Sequence, residues 1–172
     1  MTLSTELKYL NTLVDEQLSN TDNGLQQYLT FNLGDEEYGV DILRVQEIRS
    51  WIDVTPVPNT PDYLCGLMNS RSAVIPVIDL RRRLGMEKRE HSPTTVIIVV
   101  MVKNERTKNK QTMGMVADMV SNTYDIDLKD IKPSPDLGDQ VNTSYISGLV
   151  AIEDKMMMIL DIDFLSRVEA LA

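Results

Sequence analysis

A chain of 172 residues can bury a sizeable core, and its 42% hydrophobic and 25% charged residues are the proportions of a globular protein. Seventeen basic against 26 acidic residues leave a net charge of −9, so nucleic acid or an anionic membrane would have to bind against the chain's own field, and neither is expected as a partner. Cys65 is the only cysteine, which excludes an intramolecular disulfide and a multi-cysteine metal site.

Leu3, Leu7, Leu10, Val14 and Leu18 step along one stripe of a helix over residues 3–18. The polar stretch Ser19 to Gly24 separates it from the body. The helix reads as a short element docked on the body, or as one that meets a partner. No basic stretch followed by an apolar one precedes it, so no export signal is read and the compartment reads as cytoplasm. The longest apolar run, Val96 to Val102, is far shorter than the roughly 20 residues of a membrane-spanning helix, so no direct membrane insertion is expected.

From Leu25 the texture becomes β. Leu25 to Leu33 and Glu37 to Val40 read as a hairpin around Gly34-Asp35-Glu36. Pro56, Pro58 and Pro61 forbid a regular strand or helix in their segment. A second hairpin pairs Gly66 to Met68 with Ala73 to Ile78, its polar turn lying near Asn69 to Ser72. A third pairs Thr94 to Val102 with Met113 to Val120 across the charged connection Lys103 to Gln111. A fourth pairs Tyr145 to Ile152 with Lys155 to Leu160 around Glu153-Asp154, and a helix follows from Asp161 to Ala170. Many short strands at regular spacing predict a sandwich or barrel.

The pattern repeats. The spacing from Gly66-Leu67 to Asp79 recurs from Gly148-Leu149 to Asp161, and each Asp follows an apolar strand and caps a helical segment. The spacing from Gly39 to Val45 recurs from Gly114 to Val120. Two copies of a hairpin–linker–hairpin–helix unit are implied.

No catalytic constellation emerges. His91, the only histidine, sits in a polar connection and reads as a solvated loop residue, while Cys65 reads as a small buried hydrophobe. Asp125, Asp127 and Asp130 resemble half a calcium loop without its glycine or distal glutamate. Arg81-Arg82-Arg83 reads as a solvated helix face, and Met156 and Met158 share one face of a strand, as core filling or as an adaptable contact. Phosphate-cradling and nucleophile-elbow motifs are missing, so no enzyme and no cofactor is expected.

The run from Phe31 to Ile48, FNLGDEEYGVDILRVQEI, resembles the opening module of the CheW-type coupling proteins of bacterial chemotaxis. The likeness continues through Val54-Thr55, Asn59-Thr60-Pro61, Gly66 to Leu80, the hairpin around Gly114, Asp130-Ile131-Lys132-Pro133 and Tyr145 to Leu149. It covers residues 25–168, with residues 1–24 as an N-terminal helix and linker and 169–172 as a tail. The resemblance implies a mainly β fold of two intertwined five-stranded SH3-like β-barrels with short helices. It also implies a non-catalytic adaptor that bridges the cytoplasmic tips of chemoreceptors to a histidine autokinase. The family's partner-facing positions fall on Val45, Glu47, Gly66, Asn69, Arg71 and Gly114.

Each of these has a structural reading as well: Val45 as core, Glu47 and Arg71 as solvated charges, Gly66 as a turn. The family's usual Asn-Leu-Arg-Gly is Asn69-Ser70-Arg71-Ser72 here, and a serine tolerates positive φ poorly, so a different local backbone is expected. The other readings are a CheV-like adaptor half without its receiver, a similar module in another motility or kinase pathway, and a small β-barrel metal binder or hydrolase using Asp125, Asp127 and Asp130.

Overall fold

Short apolar runs, alternating with polar residues in most strands and continuous in the Val96–Lys103 strand, build ten strands in the computed structural model, which describes residues 7–12, 24–104, 107–135 and 144–167. In chain order they are β1 (Leu25–Leu33), β2 (Glu36–Asp41), β3 (Val45–Ser50), β4 (Leu64–Ser70), β5 (Ala73–Asp79), β6 (Val96–Lys103), β7 (Lys110–Ala117), β8 (Met119–Asp127), β9 (Ile146–Ile152) and β10 (Lys155–Leu160). Residues 7–12 form helix α1, and one-turn helices α2 (Leu80–Arg83) and α3 (Ile162–Leu165) follow β5 and β10. Leu3, Val14 and Leu18 of the expected N-terminal helix lie outside the described residues. The closing helix expected from Asp161 to Ala170 is shorter: Asp161 caps it, it ends at Leu165 with Ser166 as its C-cap, and residues 168–170 lie outside the described residues.

The strands form two five-stranded sheets, ordered β8-β1-β2-β10-β9 and β3-β6-β7-β5-β4. The order of one sheet becomes that of the other when each strand is exchanged for the one five places along the chain. Each sheet therefore takes two strands from one half of the sequence and three from the other, and neither half can close alone. The halves join through the parallel pairs β10·β2 and β5·β7 within otherwise antiparallel sheets.

The repeat extends to details. The segment after β3 reaches across to β4 through a Thr55↔Leu67 bridge, and the segment after β8 reaches β9 through Lys132↔Leu149. The Asp79 N–H donates to Tyr63 O at 2.7 Å, and Asp161 N–H to Tyr145 O at 2.8 Å. Both carboxylates then cap the helices that follow them.

Three apolar clusters fill the fold. The largest lies between the sheets and takes Leu29, Phe31 and Leu33 from β1 and Ile98, Val100 and Val102 from β6. A smaller one sits inside each barrel, around Val77 and Ile97 in one and around Met157 and Ile159 in the other.

Three expectations change. The strand expected over Met113 to Val120 is two strands in different sheets, because Asp118 turns the chain by accepting hydrogen bonds from Arg81 and the Gly34 N–H. Val120 then pairs with Phe31 in the opposite sheet. Core filling in the methionine run falls on Met157, which is fully buried, whereas Met156 is 54% exposed. The solvated-face reading of Arg81 to Arg83 holds for Arg82 alone. Arg81 is half-buried in an ion pair, and Arg83 lies 4.7 Å over the Tyr63 ring with its Nε donating to Leu165 O at 3.2 Å.

Candidate functional site

β3 and β4 are the two edges of their sheet, and the barrel closes where they meet through side chains instead of a backbone ladder. Ser70 Oγ donates to Glu47 Oε2 at 3.4 Å, Arg49 to Asn69 O at 3.4 Å, and Arg71 to Gln46 O at 3.2 Å. Arg49 Nε also stands 3.9 Å from Glu47 Oε1. The seam thus presents Glu47, Arg49, Asn69 and Arg71 together on one surface, and Val74, 65% exposed, sits opposite Asn69 across the hairpin.

The two-residue turn that lifts Arg71 explains its position. Ser70 pairs with Ala73, leaving Arg71 (φ 49°) and Ser72 (φ 67°) as the central residues, both left-handed, as the tight primed hairpin turn requires. The expectation that Ser72 would impose a different backbone is therefore corrected: the ladder on either side holds the serine at positive φ. The corresponding turn between β9 and β10 does the same with Glu153 (φ 47°) and Asp154 (φ 69°).

The six expected site residues divide evenly. Glu47, Asn69 and Arg71 come together at the seam. Val45, Gly66 and Gly114 are buried. Val45 is 4% exposed, because it pairs with Val100 and faces the central core, so in this form of the chain it offers no apolar contact area. Gly66 has φ 151° and a Cβ there would overlap the Thr55 carbonyl, so the bridge to Leu67 demands glycine. A Cβ at Gly114 would come within 2.9 Å of Ile97 Cγ2 in the barrel interior.

Two ion pairs tie the halves together elsewhere in the fold. Arg81 Nη2 meets Asp118 Oδ2 at 2.6 Å, with side chains 13% and 20% exposed, and Arg44 Nη2 meets Asp163 Oδ2 at 2.9 Å. Each carboxylate also accepts a backbone N–H, from Gly34 at 2.7 Å and from Lys103 at 2.8 Å. Burial pushes the Asp118 carboxyl up, but the Arg81 fork, the Gly34 N–H and the Arg89 charge outweigh it and hold it below the usual carboxylate range. Burial likewise opposes, and Arg44 with the Lys103 N–H overcomes, at Asp163.

The residues weighed for chemistry take structural places. Cys65 is half-buried, and burial together with the Asp79 charge pushes its thiol up to about 11, so it stays protonated at neutral pH. His91 is an exposed loop residue whose ring stacks on Trp51 with centroids 3.7 Å apart. Asp127 caps the short turn Leu128–Asp130, and among the described residues no three metal-ligating side chains gather. No helix among the described residues is long and apolar enough to cross a membrane.

The interlocked barrels have known counterparts. The CheW-like domain family matches residues 27–169. The chain belongs to the CheW-like family. It is 37% identical over 141 residues to a chemotaxis protein CheW of Rhizobium meliloti, covering 82% of this chain and 87% of that one. It is also 37% identical over 147 residues to a CheW of Klebsiella aerogenes, covering 86% and 85%. The fold superposes on the crystal structure of a scaffolding CheW from Thermoanaerobacter tengcongensis with a TM-score of 0.74 at 33% identity, over 84% of this chain and 90% of that one. This CheW-like protein is accordingly a chemotaxis adaptor of the scaffold type.

Proposed function

We propose that this CheW-like protein bridges the cytoplasmic tips of chemoreceptors to a CheA-like histidine autokinase, and that Glu47, Asn69 and Arg71 are its specificity contacts. The observation that carries this is the seam, where Arg71 donates to the Gln46 carbonyl next to Glu47, so that groups of opposite charge stand along one partly exposed ridge. Charge complementarity of this kind sets register and association rate more than raw affinity. Gly66 and Gly114 act by shaping the backbone beneath that ridge. The adaptor works in the cytoplasm through its domain of residues 25–168, which follows an N-terminal segment of residues 1–24.

The mechanism needs no bond making. Receptor conformations that contact the adaptor differently shift the population of kinase states by that difference in binding free energy, and by no more than it. Pull-down of the genomically adjacent histidine kinase and of a receptor cytoplasmic fragment by the tagged chain is the test. Capture of both is expected, and capture of neither overturns the reading.

A further inference from the structure

β3 ends its sheet, so the outward N–H and C=O groups of that strand have no ladder partner. Helix α1 supplies one. The Asn11 side-chain amide accepts the Ile48 N–H at 3.0 Å and donates to the Ile48 carbonyl at 3.2 Å, imitating the paired hydrogen bonds of a neighbouring strand. Leu7 and Leu10, both buried, join the central core that contains Val45 and Ile48. Leu7, Leu10 and Asn11 stand at i, i+3 and i+4, one face of a helix, whereas Lys8, Tyr9 and Thr12 are exposed. The strand so covered carries Val45 and Glu47, both expected to face a partner.

From this we infer that α1 is a displaceable cover on the β3 edge, competing with the receptor for the surface next to Glu47. The groove fits an amphipathic helix with apolar residues at i and i+3 and a side-chain amide at i+4. The chain's own helix occupies it until a partner helix of the same chemistry replaces it. Among its described residues the helix is anchored to the body by two apolar side chains, Leu7 and Leu10, and one amide, Asn11, a small set of contacts that a partner helix offering the same groups can match. The inference rests on the bridging reading above.

The test uses the full chain, its Leu7→Ser/Leu10→Ser variant and, in case that pair weakens the central core, the milder Asn11→Ala variant. Affinity for the receptor cytoplasmic fragment is read by titration, and amide exchange at Ile48 is read in the free proteins. A cover closed about nine-tenths of the time lowers apparent affinity about tenfold, so both variants are expected to approach a tenfold gain. Ile48 exchange should accelerate while β6 and β7 amides stay unchanged. Unchanged Ile48 exchange overturns the inference. So does wild-type binding that the variants leave equal or weaken, which would make α1 structural or part of the site, with the bridging reading intact. Failure of all three proteins to bind the receptor overturns both.

Discussion

Arg81 grips Asp118 through Nε at 2.9 Å and Nη2 at 2.6 Å, joining the helix after β5 to the corner between β7 and β8. In the repeat-related place Asp163 of α3 meets Arg44, so the two clamps occupy equivalent positions with their charges exchanged. Duplicated architecture has kept the clamp and inverted its polarity, which locks each half of the sequence to the other by a different arrangement of signs.

Removing one partner of a clamp leaves a largely buried charge without its hydrogen bonds. Asp118→Ala is expected to cost about 1–3 kcal/mol, discounted from a fully buried pair because both side chains retain some exposure. The exchanged pair Arg81→Asp with Asp118→Arg should recover at least half of that loss, since Asp163 and Arg44 show that the fold accepts the reversed polarity. Urea unfolding of the three proteins checks both statements, and a double variant no better than the single one would contradict the second.

The same carboxylates set the acid response. Asp118 and Asp163 have folded-state pKa values below the unfolded value of about 3.9. Their contribution is therefore present above about pH 4 and is lost as pH falls through the depressed folded values. Melting temperature against pH should fall steeply below pH 4 in the wild type. It should fall less steeply in Asp118→Asn, whose stability at neutral pH is already lower. Parallel profiles would mean that the pair does not control acid stability.

Ser72 and Asp154 hold left-handed backbone at equivalent turns without being glycine. Ser72→Gly should raise stability by about 0.5–1 kcal/mol by relieving the Cβ contact, without altering strand register. Asp154→Gly should do the same in the other barrel. Denaturant midpoints measure both.

Gly66→Ala is expected to act in the opposite direction, by about 2–4 kcal/mol, because its methyl group would enter the Thr55 carbonyl and break the bridge that ties the proline segment to β4. The loss should appear as lowered thermal stability before any loss of binding. Arg71 substitutions should leave the melting temperature within about 0.5 kcal/mol of the wild type in equivalent stability.

Strands with strong apolar runs were legible in the sequence, and so was the repeat that relates Gly66 to Gly148 and Asp79 to Asp161. β3 and most of β8 were not, for one physical reason. VQEIRS and MVSNTYDID are edge strands with polar outer faces, so their buried residues are too few to stand out as a period. These are the strands at which the chain passes from one sheet to the other, and each pairs with a strand of the other half, β3 with β6 and β8 with β1, so the interlocking was legible only through the family likeness. Among site residues, Arg71 and Asn69 could be placed at a hairpin tip from turn chemistry. The role of Asp118 could not, because its partner Arg81 is brought near by the crossing of β7 over the helix after β5. Sequence spacing carries no trace of that contact.

The β3–β4 seam is proposed to carry the partner contacts, and Arg71 is its exposed charge. Titration of the receptor fragment and of the kinase against Arg71→Glu, with circular dichroism confirming the wild-type fold, tests it most directly. Loss of about tenfold or more in affinity for at least one partner, with the fold intact, is the predicted result; unchanged affinity for both would contradict it.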